Sequence, residues 1–312
     1  MKEDTDQPLA QENNKQNSVD KNSEQSWHML KEKVRRNFNR AAHTYDGAAV
    51  LQQEVAARML ERFDFIKQQP QSILDLGCGT GQLTLGLMQR FRQAKMTALD
   101  LASEMLGVLK SKVPFWRRFF NSPRFVCADI EDIPLEDNSY DLIVSGLTLQ
   151  WCNQPDLVFA EVMRLLKPGG LFMFTTFGPD TLKELRECWT EVDNYSHVSP
   201  FLDMHDIGDA LMRHQYAEPV MDAERLCLTY KSVRQLLIEL KHIGANNVTV
   251  GQNKKLTTKR QLQVLEQAYE KHRKHSVYPA SYEIIYGHAW KPDPKNQTWK
   301  KPASINVDIT PR

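Results

Sequence analysis

Ile73-Leu74-Asp75-Leu76-Gly77-Cys78-Gly79-Thr80-Gly81 is a short apolar run that ends in an acid and passes into three alternate glycines. It reads as a buried strand followed by a tight turn, because glycine adopts backbone angles other residues resist and lets N–H groups approach a ligand closely. A helix is expected from about Gln82. A dinucleotide fingerprint would continue as G-x-G-x-x-G, but counting from Gly77 the sixth place holds Gln82. The turn is therefore G-x-G-x-G, which argues against a nicotinamide oxidoreductase.

The same texture recurs downstream. Apolar runs at 72–76, 95–99, 124–127, 140–145 and 171–175 alternate with turn residues and helical patterns. This alternation predicts βαβ units and a doubly wound α/β sheet buried on both faces. Leu166-Lys167-Pro168-Gly169-Gly170 is expected to end a helix and turn the chain into a strand. Beyond Thr176, helical patterns at 180–192, 203–214, 232–243 and 258–275 surround two expected strands, 220–229 and 282–289. They read as sheet completion plus a helical insert, residues 230–276, that forms a lid.

Acids mark the strand tips. Asp100 closes the second run 25 positions after Asp75 (100 − 75), where a carboxylate can accept from two ribose hydroxyls; an N-cap for the helix holding Met105 is the competing role. Asp129, in Cys127-Ala128-Asp129-Ile130, stands where it would take an adenine amino group or serve as a turn residue. Ser145 leads into Gly146-Leu147-Thr148-Leu149-Gln150-Trp151. In open α/β sheets ligands sit outside the carboxyl ends of strands, so this segment should line the reaction zone, although Trp151 fits core packing equally well.

Four such signals in order resemble the class I S-adenosylmethionine-dependent methyltransferases over residues 70–176. The resemblance implies a Rossmann-like, seven-stranded, mostly parallel sheet with its last strand antiparallel, and S-adenosyl-L-methionine as cofactor. The glycine turn would wrap the methionine part, with Asp75 near its ammonium. The implied cofactor set is Asp75, Gly77, Cys78, Gly79, Gly81, Asp100, Leu101, Met105, Asp129, Ile130, Ser145 and Leu147.

A narrower resemblance rests on residues 38–46 (FNRAAHTYD), 177–185 (FGPDTLKEL), 201–209 (FLDMHDIGD) and 286–290 (YGHAW). These are similar to the malonyl-carrier-protein O-methyltransferases of biotin synthesis, the BioC family. That resemblance implies methyl transfer to the free carboxylate of a malonyl thioester, carried by an acyl-carrier protein or coenzyme A. The resulting ester masks a charge and primes pimelate synthesis. A carboxylate is already ionised at pH 7, so no strong general base is needed. Tyr45 is the expected hydrogen-bond donor to that carboxylate, with packing over the cofactor as its alternative role. A cationic partner is also expected, with Arg164 as candidate against an exposed helix position. His43 and His205 read as cap or turn residues. Same-fold alternatives are a quinone or small-acid methyltransferase and an arginine-hydroxylating assembly factor; a non-catalytic binding protein is a third.

Composition narrows the setting. A net charge of +1 over 312 residues, with 25% charged and 41% hydrophobic residues, advertises neither nucleic acid nor membrane, and no apolar run approaches the roughly 18 residues of a span. Five cysteines without CxxC or paired-His spacing suggest neither disulfides nor a metal site, which fits a reducing, cytoplasmic setting and an expected monomer. Residues 1–26 are polar and read as disordered, 27–69 as a helical cap, 70–290 as the methyltransferase domain, and 291–312, with several prolines, as a loose tail. Residues 110–124 hold five cations, four aromatics and no acid. They offer a docking patch for an acidic carrier protein; the competing reading buries the aromatics and solvates the cations.

Overall fold

The computed structural model describes residues 28–117, 121–245, 247–250 and 257–295. The expected tails, residues 1–26 and most of 291–312, lie outside them. Among the described residues three α-helices precede the sheet: α1 (Lys31–Ala41), α2 (Tyr45–Ala48) and α3 (Val50–Arg62). Spacings of three and four residues bury Val34 and Ala41 from α1 and Leu51, Val55 and Met59 from α3, as amphipathic helices require. The short α2, which starts at Tyr45, is an addition to the two expected helical patterns.

Seven strands follow: β1 (Ser72–Leu76), β2 (Lys95–Asp100), β3 (Arg124–Cys127), β4 (Tyr140–Gly146), β5 (Leu166–Phe177), β6 (Ala217–Tyr230) and β7 (Tyr278–Trp290). They form one sheet in the order β3-β2-β1-β4-β5-β7-β6, parallel except for β7, which runs antiparallel to both its neighbours. The further helices are α4 (Gln82–Arg90), α5 (Ser103–Lys112), α6 (Pro155–Leu165), α7 (Lys183–Thr190), α8 (Met204–Arg213), α9 (Val233–His242) and α10 (Lys259–Tyr269).

Both faces of the central strands are dry. Ile73 packs with Met59, Leu87 and Leu109 on one side, while Leu74 and Leu76 pack with Phe159, Val162 and Leu211 on the other. Alternation along β1 thus feeds two cores, which is why its sequence reads as one apolar run. A third core lies under the helical insert, where Leu236 and Leu265 meet Trp189, Tyr269 and Ile284.

Three expectations need correction. The Leu166–Gly170 segment is a bulge inside β5 and not a turn ahead of it: Tyr140 pairs with Leu166 and Leu142 with Leu171, and Lys291 exchanges backbone hydrogen bonds with Gly169 and Gly170. Strands β6 and β7 extend well beyond 220–229 and 282–289, because pairing persists from Ala217↔Trp290 to Tyr230↔Tyr278. Helix α7 starts at Lys183 instead of residue 180, because the Gly178 N–H donates to the Glu283 carbonyl and the Asp180 N–H to the Glu283 carboxylate, both at 2.9 Å.

Strand order reverses between β1 and β4, and that switch point opens a crevice at the carboxyl ends of the strands. Among the described residues no helix is long and apolar enough to cross a membrane.

Candidate active site

A cleft with an empty volume of about 1340 Å³, its mouth included, opens at this switch point. Gly77 and Gly79, Asp100, Leu101 and Met105, Asp129 and Ile130, and Gly146 and Leu147 line it from the strand tips. A smaller hollow adjoins it, walled by Asp75, Cys78, Thr80 and Gln82, and shares Tyr45, Gln52 and Gly77 with the main cleft.

The glycine turn is fixed by its neighbours. The Gly77 and Cys78 N–H groups both donate to the Leu99 carbonyl, at 2.8 and 3.0 Å. Gly77 has φ +69°, and a Cβ there would lie 2.2 Å from the Thr148 side chain. Both left-handed backbone and close approach therefore require glycine. The Asp100 carboxylate ties the turn to the second strand, accepting from Gly79 N and Ala102 N at 2.8 Å each. The N-cap of the following helix is Ala102 and not Asp100, so the competing role does not hold; each Asp100 oxygen keeps a second lone pair. Burial lifts its pKa to about 6 despite these bonds.

Asp75 is 1% exposed. One carboxylate oxygen accepts from the Thr84 hydroxyl at 2.5 Å; the other is buried with no partner among the described residues. Burial raises its pKa to about 7, and Thr84 opposes part of the rise. An unpaired buried acceptor is costly, so this oxygen invites a cationic or N–H donor.

The third strand tip is closed by a residue the sequence reading missed. Lys31, from the start of α1, donates to Asp129 at 2.9 Å and pairs with Glu131, and it lines the cleft beside Trp151 and Cys152. Trp151 settles in both of its expected roles, lining the cleft while its ring meets Phe38 edge-on at 5.1 Å.

Tyr45 lines both cavities and packs on Ala42 and Met105. Burial and the nearby Asp100 and Asp46 carboxylates push its ionisation well above the usual tyrosine range, so the hydroxyl remains a donor. Asp46, beside it, receives Lys112 at 2.6 Å and the Thr80 hydroxyl at 2.7 Å, which clamps the N-terminal cap onto the glycine turn.

Not every expected residue reaches the cleft. Arg164 is spent elsewhere: its three guanidinium nitrogens bond Glu161, Asp137 and the carbonyls of Leu135 and Ile133 at 2.6–2.9 Å. It is absent from the cleft wall, and its candidacy as the substrate-binding cation is withdrawn. Ser145 is fully buried and donates to the Leu76 carbonyl at 3.2 Å, joining β4 to β1 behind the site. Gly81 shapes the turn into α4 at φ +90° and lines neither cavity. His43 is exposed, and His205 pairs at the surface with Asp203, 2.7 Å away.

In the basic segment, Arg118, Phe119 and Phe120 lie outside the described residues. Of the remainder, Phe115 and Trp116 are exposed while Arg117 is buried and bonds the Met88 carbonyl. The two described aromatics are therefore not buried, whereas of the four described cations only Arg117 is, and Lys110 and Arg124 are exposed. The described residues of the segment do not contribute to the cleft wall.

The far wall comes from the 177–185 motif, from Phe201 of the 201–209 motif and from the expected lid, together with residues 197–199, which no expected element covered. Thr181, Leu182 and Leu185, then His197, Val198, Ser199 and Phe201, and Leu240, Ile243 and Asn247 close the cleft opposite the sheet.

Residues 74–174 match the methyltransferase domain family model. The chain is 49% identical over 267 residues to a malonyl-[acyl-carrier protein] O-methyltransferase of Gallionella capsiferriformans, covering 85% of this chain and 92% of that protein. A protein of the same name from Legionella pneumophila is 37% identical over 81% of this chain and 88% of its own length. Among solved structures, the YcgJ protein of Bacillus subtilis superposes with a TM-score of 0.51 at 14% identity, covering 77% of this chain and 99% of that one. A Haemonchus contortus phosphoethanolamine N-methyltransferase in complex with S-adenosyl-L-methionine superposes with a TM-score of 0.50 at 18% identity, over 82% of this chain and 57% of that one. At such identities these two likenesses speak to fold alone.

Proposed function

The chain belongs to the malonyl-[acyl-carrier protein] O-methyltransferase family, and from that premise we propose that it methylates the free carboxylate of a malonyl thioester. The observation that carries the reading is the convergence of the glycine turn, the Asp75, Asp100 and Asp129 carboxylates and Tyr45 on one connected cleft. The product is the methyl ester that primes pimeloyl synthesis for biotin.

The residues present fit S-adenosylmethionine. Asp75, with one unpaired buried oxygen, suits the ammonium of the methionine part. Asp100 suits the ribose hydroxyls, and Asp129 with Ile130 suits the adenine end. When bound, the cofactor supplies an electrophilic methyl group on a sulfonium, which a carboxylate oxygen takes by in-line displacement.

The chain's own work is alignment and exclusion of water. Tyr45 stands where the two cavities meet and offers its hydroxyl to the acyl carboxylate. No residue needs to remove a proton, because the nucleophile is already anionic. Helices α1 and α7 and the loop after α7 present Phe38, Leu185 and Phe201 to the cleft, an apolar wall that strengthens the electrostatic contacts inside. The test is direct: malonyl thioester with methyl-labelled S-adenosylmethionine should yield a labelled methyl ester, and complement a biotin auxotroph lacking this step. Absence of product from both the carrier-protein and coenzyme A thioesters would overturn the substrate reading.

A pH dependence follows from Asp75. Its folded pKa, about 7, is raised above the unfolded value, so the native protein without cofactor holds a proton there that the unfolded chain has released. That group therefore makes the cofactor-free protein less stable as pH rises from about 4 to about 7. An ammonium seated against Asp75 favours the carboxylate, so cofactor affinity should rise as pH goes from about 6 to 7. Calorimetry across that range should find the slope, and Asp75→Asn should flatten it.

A further inference from the structure

An acyl carboxylate entering an apolar cleft needs a positive partner, and Arg164 does not supply it. Among the described residues that line the cleft, two side chains carry or can take a positive charge, Lys31 and His197. Lys31 is held by Asp129 and Glu131 at the adenine end. His197 stands in the opposite wall, among Val198, Ser199 and Phe201.

We propose that His197 receives the free carboxylate of the acyl substrate and sets the preference for a charged acyl group. This deepens the methyltransferase reading above and rests on it. The imidazole is pre-oriented. Its ring lies flat on Trp189, with centroids 3.6 Å apart and planes 5° from parallel. Its Nε2 is 2.8 Å from a carboxylate oxygen of Asp193, and Asp193 in turn accepts from the Gln261 amide at 3.2 Å and from Tyr195 N at 3.0 Å. Both side chains of the pair are 15% exposed.

With Nε2–H committed to Asp193, the protonated ring has Nδ1–H left to donate, and Nδ1 makes no hydrogen bond among the described residues. Asp193 and the Trp189 face together fix the ring in position, with Nδ1 turned to no other partner among the described residues. A neutral acyl group gains nothing from this arrangement, whereas a carboxylate gains a charge-assisted hydrogen bond.

His197→Phe keeps the ring over Trp189 and removes both nitrogens. Binding of malonyl and acetyl thioesters of the same carrier is compared in both proteins, alongside S-adenosylmethionine affinity and thermal midpoint. The variant should bind the malonyl thioester about 30-fold more weakly, with KM rising correspondingly. Binding of the acetyl thioester and the cofactor should be unchanged. His197→Gln gives the same comparison if the phenylalanine variant does not fold. Equal losses for both thioesters, or an undiminished malonyl preference, overturns the proposal. Failure of the parent protein to form any methyl ester would instead overturn the underlying functional reading.

Discussion

Asp100→Ala should weaken S-adenosylmethionine binding by about 2 kcal/mol or more, roughly a 30-fold rise in Kd, as measured by calorimetry. The expectation has two sources. The substitution removes the strand-tip acceptor proposed for the ribose hydroxyls, and it releases the Gly79 and Ala102 N–H groups that the carboxylate now holds at 2.8 Å. Loosening Gly79 disturbs the turn that cradles the methionine part. Asp100→Asn keeps one carbonyl acceptor and should fall between the two. An unchanged Kd in the alanine variant would refute the role assigned to this side chain.

Gly287→Ala should lower stability by about 2–3 kcal/mol and the thermal midpoint by roughly 5–10 °C, with no active-site residue touched. Gly287 lies in β7 opposite Phe174 of β5, and a Cβ there would come within 2.2 Å of the Phe174 ring. That ring has nowhere to retreat: it stacks on Phe172 with centroids 5.0 Å apart, meets Phe159 at 6.3 Å, and is 1% exposed. Adding Phe174→Leu should recover part of the loss, since the two sites share one volume. Calorimetric unfolding of both variants checks it, and additive losses would count against the steric account.

These two positions differ in how readable they are. Asp100 is visible along the chain, because an apolar run closing on an acid is a local pattern with a local cause. Gly287 sits in a strand whose glycine is unexplained until Phe174 is known to lie across from it. The same division runs through the site. The glycine turn and the acids at positions 75, 100 and 129 were legible, whereas Lys31 reaches Asp129 from 98 positions away and no pattern along the chain announces that contact. His197 gave no signal either, since its partners acquire meaning only through the cleft they face. Arg164 was a candidate because an arginine suits a carboxylate, with a helix position as the competing reading; the helix position holds, and only the five bonds of its guanidinium show that it is already occupied.

By itself, then, the sequence determined the sheet, the turn that opens its cofactor site and the family. Those depend on periodicity, on glycine's backbone freedom and on short motifs, all written within a few consecutive residues. Tertiary structure alone decided which cations face the cleft, which side chains line its far wall and where a single added carbon is intolerable. Each of those is a question of distance between residues far apart in the chain, and burial and electrostatic pairing act through distance.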